Sequence, residues 1–327
     1  MSVPSPVSTA TTADVEFVFV HGTWGGAWQF EELCNILKAR GVAASAVTLT
    51  GCGDRAHLFT EQIDLHTHVQ DVIAHIRYRQ LMRRPAVASS AASGGARSAG
   101  KVVLVGNSYA GMVCRQLVHS WREAVEHIEL IVYFDAIVPR HGQNVFDLNP
   151  AHFKQSVMQT LVDGNKVAVG VVPLEKLGVT EPEHVALATT ALTTHPFATY
   201  LTRVRLHAGA GWQREIAVRS CVVDTTAWFP DTNKLAKELS WPIHVWNCGS
   251  HLAFFTHAAE TADHLLQLLS SPASSAPGPG EATAAAAAAA DDANKCRRPI
   301  AAKAPCARQG SIEATGSSPR RRPSAQA

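Results

Sequence analysis

Ser108, Asp224 and His251 are the residues of this 327-residue chain whose types and settings could together carry out acyl transfer. A serine hydroxyl is a weak nucleophile near neutral pH, so it needs a histidine to take its proton and a carboxylate to orient and stabilise that histidine. Ser108 lies in residues 101–112, KVVLVGNSYAGM, where the apolar run Val102, Val103, Leu104, Val105 meets a turn of small residues. The stretch is close to Gly-x-Ser-x-Gly, a nucleophile elbow, in which small residues flank the serine because strand and helix backbones approach closely. Ala110 stands where the second glycine is usual, and Gly111 comes one residue late. By itself the stretch fits a tight turn with a solvated serine equally well, so other residues must decide.

His251 lies in CGSH, a small-residue loop after one apolar run and before a helical one, and is the expected base. Asp224 closes the run SCVVD, either as the acid or as a cap for the segment that follows. Asp135 closes LIVYF and is a competing acid. Asp224 is the expected one, because its loop lies nearer in sequence order to the histidine. The tetrahedral oxyanion needs two donors, expected from the backbone N–H groups of Tyr109 and Thr23. His21 is expected to hold its loop by a structural hydrogen bond, while Trp24 and Trp28 pack. His66 and His68 are two apart on a predicted helix and do not share a face, so no metal site is read there. No organic cofactor is expected either.

These residues must be carried by alternating strands and helices. Residues 15–20 read as a buried strand, 27–40 as a helix closing at Gly41, and 46–49 as a second strand. Residues 50–58 form a loop, and Leu65, Val69, Val72, Ile73 and Ile76 keep helical spacing. Residues 102–105 are an unbroken apolar strand, and Met112, Val113, Leu117, Val118 and Trp121 follow on a helix. Residues 130–134 make another strand. The rhythm lapses over 138–213, where Pro173, Pro182 and Pro196 punctuate short segments that read as a helical cap over the sheet. It resumes with strands at 218–223 and 243–246 and helices near 232–239 and 257–269. The pattern predicts an α/β fold with a mostly parallel central sheet flanked by helices. Ser108, Asp224 and His251 then sit at the carboxyl ends of strands, the edge where open α/β sheets hold ligands.

The sequence is 46% apolar and 17% charged, enough for a sizeable core. Residues 271–327 hold eight Lys/Arg and four Asp/Glu, which leaves 21 against 23, or −2, for the remainder of a chain of net charge +2. That balance argues against nucleic-acid binding by the body. One domain is expected over 14–270, with a disordered segment at 1–13, a low-complexity insertion at 83–100 and a disordered Ala/Pro/Ser-rich basic tail at 271–327. Seven cysteines without a Cys-x-x-Cys pair suit reduced thiols. The first residues do not read as a secretory signal and no run is long enough to span a membrane, so a cytoplasmic location is expected.

HGTWGGAW, LTGCGDRAHL, VLVGNSYAGMV, LIVYFDAIVP, CVVD and CGSH, in that order over residues 15–269, resemble the α/β-hydrolase superfamily. The resemblance is to its branch of plant methyl esterases, hydroxynitrile lyases and bacterial pyrethroid-hydrolase-like esterases. It implies Ser108, Asp224 and His251 as the triad in the family's usual order, and Thr23 and Tyr109 as oxyanion donors. Asp135 falls on a position that is not the family's catalytic acid. The hydroxynitrile lyases carry a lysine directly after the histidine, where this chain has Leu252, which weakens a hydroxynitrile or carbon–carbon lyase. The expected function is a serine esterase acting on a small apolar ester through an acyl-enzyme. The alternative from another class is a small-molecule receptor on the same scaffold.

Overall fold

The computed structural model describes residues 15–83, 100–149, 151–159, 168–207 and 209–270. The expected N-terminal segment, the insertion apart from Arg83 and Gly100, and the basic tail lie outside these residues. In chain order the elements are β1 (Glu16–Val20), α1 (Glu31–Ala39), β2 (Ala43–Val47), α2 (Leu65–Arg83), β3 (Val102–Ser108), α3 (Ala110–Ser120), α4 (Ala124–His127) and β4 (Ile128–Ala136). After them come α5 (Ala151–Gln159), β5 (Ala168–Val169), α6 (Pro182–Ala191), β6 (His195–Pro196), α7 (Ala198–Leu201) and α8 (Ala210–Ala217). The described chain ends with β7 (Arg219–Asp224), α9 (Pro230–Glu238), β8 (Ile243–Val245), α10 (Ala253–Thr256) and α11 (Ala258–Ser270).

Six strands form one sheet in the order β2-β1-β3-β4-β7-β8, and every pairing in it is parallel. This is an α/β-hydrolase fold with a parallel central sheet flanked by helices. Its central strands are continuous apolar runs because both faces are covered: Val102 to Val105 on β3 and Leu130 to Phe134 on β4 are all buried. The sheet's first crossover ends cleanly because Gly41, at φ 78°, stops α1 in a left-handed turn before β2. The expected helix at 27–40 divides into a single 3-10 turn, Ala27–Phe30, and α1.

Two differences bear on the site. β3 runs on through Gly106 and Asn107 to Ser108, and α3 begins at Ala110, so the expected turn of small residues is a single residue, Tyr109. The cap between β4 and β7 is not wholly helical, since β5 and β6 pair antiparallel through Ala168↔Pro196 and Val169↔His195. A ladder of two residues a side, one of them proline, is too short for alternation to reveal.

Candidate active site

Ser108 closes β3 with φ 53°, the left-handed region that a non-glycine residue rarely adopts. The strain follows from turning strand into helix within one residue, and it lifts the serine out: the six preceding strand residues are buried, whereas Ser108 is partly exposed. Close approach is needed on three sides. A Cβ on Gly22 would stand 2.8 Å from the Ser108 Cβ, one on Gly106 would stand 2.6 Å from Cys114 Sγ, and one on Gly111 would strike the Ile137 carbonyl. Ala110 is fully buried without distorting the helix start. The late glycine, Gly111, is thus the position at which α3 passes closest to the end of β4.

Asp135 departs from the ladder between β3 and β4. Asn107 pairs with Phe134 and Ser108 with Ala136, so Asp135 is the extra residue of a bulge, and its φ is 42°. Bulges of this kind re-aim a side chain. Here the carboxylate meets His251: Nδ1 of the histidine lies 2.6 Å from Asp135 Oδ2, with both residues buried. A carboxylate only accepts, so Nδ1 carries the proton and Nε2 is the basic nitrogen. The same Oδ2 accepts a hydrogen bond from the Thr226 hydroxyl at 2.8 Å. Trp228, half exposed, stacks on the imidazole with ring centres 4.7 Å apart and planes 27° apart.

Asp224, the expected partner of His251, has its hydrogen bonds elsewhere. Asp224 Oδ1 accepts from the Ala227 N–H at 2.7 Å and Oδ2 from the Asn233 side chain at 2.6 Å. It fastens the turn that leads into α9 and positions Thr226 and Trp228. β4 and β7 are neighbours in the sheet, so both aspartates reach the same edge. The bulge at Asp135 decides which of them faces the histidine.

Thr23 and Tyr109 both lie beside Ser108. Tyr109 follows it and precedes the eleven residues of α3, where helix-start N–H groups and the helix dipole favour negative charge. Thr23 follows Gly22, whose backbone packs on Ser108, and its Oγ1 lies 2.6 Å from the Tyr200 hydroxyl on α7. The loop is held from below by His21, whose Nε2 accepts from the Leu49 N–H at 3.0 Å while Nδ1 donates to the Gly22 carbonyl at 2.7 Å. Burial pushes the His21 pKa down to about 4, so it is neutral at pH 7.

Beneath Tyr109 is a buried polar layer. His68 donates from Nε2 to the Thr50 carbonyl and accepts the Tyr109 hydroxyl at Nδ1, each at 3.0 Å. His195 donates to Thr199 at 3.0 Å and lies 3.3 Å from Cys52 Sγ. Burial lowers His68 to about 4 and His195 well below its ordinary value. His68 is thus a neutral structural histidine. Among the described residues no group of three or more His, Cys, Asp or Glu side chains is placed to hold a metal ion, and no helix is long and apolar enough to cross a membrane.

Asn107, Thr226 and Trp228 have no role in the sequence argument. Asn107 alone left a signal, as an amide directly after an apolar run. The other two come from the loop after β7, where no periodicity ties a residue to the site.

A strained serine at a strand-to-helix junction and a histidine loop, both at the carboxyl edge of a parallel sheet, fit one class of protein, and comparison with known proteins agrees. The model of the alpha/beta hydrolase family matches residues 17–264, and the chain belongs to that family. Over 148 residues it is 32% identical to a carbendazim hydrolyzing esterase of Nocardioides sp. (strain SG-4G), a match that takes in 45% of this chain and 52% of that protein. The chain thus spans about half the length of the curated relative it matches. An extracellular α/β-hydrolase from a Paenibacillus species, described as sharing homology with tobacco salicylic acid binding protein 2, superposes with a TM-score of 0.61 at 16% identity, over 77% of this chain and 98% of that one. A methylesterase from Arabidopsis superposes with a TM-score of 0.56 at 20% identity, over 78% and 99%. At such identities the likeness is one of fold.

Proposed function

We propose that this protein is a serine-dependent carboxylic ester hydrolase acting on a small, fairly apolar ester. The observation that carries the reading is the 2.6 Å contact between His251 Nδ1 and Asp135 Oδ2 at the sheet edge where Ser108 is held in a strained elbow. The similarity to a carbendazim hydrolyzing esterase supports an ester as the substrate class.

In this reading Ser108 Oγ attacks the substrate carbonyl carbon as its proton passes to His251 Nε2. Asp135 stabilises the imidazolium that results. The N–H groups of Tyr109 and Thr23 receive the oxyanion. The tetrahedral adduct collapses, His251 returns the proton to the departing alcohol, and an acyl-enzyme remains. Water then repeats the sequence, giving its proton to His251 and releasing the carboxylic acid and Ser108.

The test is turnover of a short aryl ester by wild type, Ser108→Ala, Asp135→Asn and Asp224→Asn, with a serine-directed phosphonate run alongside. Loss of Ser108 is expected to lower kcat by about 10⁴-fold or more and to abolish labelling, and Asp135→Asn by about 10²- to 10⁴-fold. Asp224→Asn keeps an acceptor for the Ala227 N–H and is expected to cost less than about tenfold. A larger loss in Asp224→Asn than in Asp135→Asn would reverse the assignment of the acid. Equal turnover by wild type and Ser108→Ala would end the esterase reading.

A further inference from the structure

We propose that Asn107 is a positioning residue that ties together the three backbone segments bearing Ser108, Asp135 and His251. The inference rests on the triad reading above. Asn107 is the residue before Ser108 on β3 and is 1% exposed. Its Nδ2 donates to the Phe134 carbonyl at 3.1 Å and to the His251 carbonyl at 3.1 Å. Both neighbours are carbonyl oxygens that only accept, so the amide orientation is fixed by chemistry. Phe134 directly precedes Asp135, and His251 is clasped by its own carbonyl. One NH₂ group, covalently next to the nucleophile, is therefore hydrogen-bonded to the acid's strand and to the base itself.

The sheet holds β4 to β3 on either side of Asp135, through Asn107↔Phe134 and Ser108↔Ala136, but it does not reach the histidine, because β8 stops at Val245, six residues before His251. The histidine's main chain is bonded at its N–H to the Leu177 carbonyl of the cap, at 3.1 Å, and at its carbonyl to Asn107. Only the second bond refers the histidine to the strand that carries the serine.

The other end of the same amide shows that the donors are what the position uses. Asn107 Oδ1 is buried and has no hydrogen-bond partner among the described residues. It faces the Gly22 backbone, where a Cβ would stand 2.9 Å away. A buried acceptor left without a partner is destabilising, and an apolar side chain of the same shape would avoid that cost. The amide is therefore explained by its two N–H bonds.

The test uses the full chain and the nearly isosteric Asn107→Leu, with Asn107→Ser, which restores one donor, as the second variant. Proton NMR reads the far-downfield resonance of the His251 Nδ1 proton in its short bond to Asp135, and this readout needs no turnover. Asn107→Leu is expected to shift that resonance upfield or broaden it, with circular dichroism unchanged, and Asn107→Ser to restore it in part. Misplacing reacting groups by an ångström costs about 10²-fold, so kcat on the aryl ester is expected to fall by about 10- to 100-fold, with KM within about twofold. An unmoved resonance in folded Asn107→Leu or Asn107→Ser overturns the proposal. If wild type shows the resonance but no ester turnover, the esterase reading fails while the resonance still decides the role of Asn107.

Discussion

Each residue around the histidine has a separable task. Asp135 takes the Nδ1 proton's hydrogen bond, Thr226 donates to the same carboxylate oxygen, and Trp228 lays its indole on the ring. The face of an indole attracts a cation, and a half-exposed contact of this kind contributes about 0.5–1 kcal/mol. Trp228→Leu is accordingly expected to lower kcat about two- to fivefold without loss of folded protein, by steady-state kinetics with a melting curve alongside. Unchanged kcat would leave the indole a surface residue. Ser108 and His251 stand out in sequence because each sits among small residues at the end of an apolar run, a local signature. The two aspartates are not told apart there, because Asp135 and Asp224 end neighbouring strands and both satisfy that pattern. What separates them is a positive φ and a skipped ladder position, which no periodicity records.

Among the elements, the junction of β3 with α3 is set by how near the helix comes to its neighbours. Ala110 takes the place of the usual glycine, yet the tight contacts fall at Gly106 and Gly111. Gly111→Ala forces a methyl against the Ile137 carbonyl, a backbone atom with little freedom to give, and is expected to destabilise the fold by about 1–3 kcal/mol in chemical denaturation. Ala110→Gly is expected to cost up to about 1 kcal/mol through helix propensity and to bring no gain in turnover. Equal stability of Gly111→Ala and wild type would show that α3 can withdraw. The α/β alternation, and with it the sheet and its site edge, could be read from sequence because buried parallel strands are unbroken apolar runs. The cap could not be drawn in detail, since its elements are short, down to a ladder of two residues a side.

Across the whole molecule, burial of ionisable groups makes stability depend on pH in two windows. His21 and His68 would take a proton near pH 6.5 in the unfolded chain but hold out to about 4 when folded, so the unfolded state binds more protons between these values. Their contribution is complete above pH 6.5 and is lost as pH falls toward 4; His195 acts in the same direction. Glu215 on α8 comes next: burial alone would raise its pKa, but Arg115, 2.8 Å away on the elbow helix, and His119 hold it at about 2. Its share is complete above pH 4.5 and lost toward 2. Melting temperature is thus expected to fall from pH 6.5 downward, before ordinary carboxylates titrate, and Glu215→Gln to flatten the curve below 4.5. A flat profile between pH 7 and 5 would mean that the buried histidines titrate normally. The hydroxyl of Thr226 on Asp135 has a consequence of another kind. A bulge in β4 and the loop after β7 meet at one oxygen, so the negative charge beside the imidazole is a portable part. Thr226→Asp combined with Asp135→Asn is expected to recover at least about tenfold of the turnover lost in Asp135→Asn alone, by the same electrostatic logic that orients His251. The edge of the sheet, more than either strand, then sets where that charge can stand.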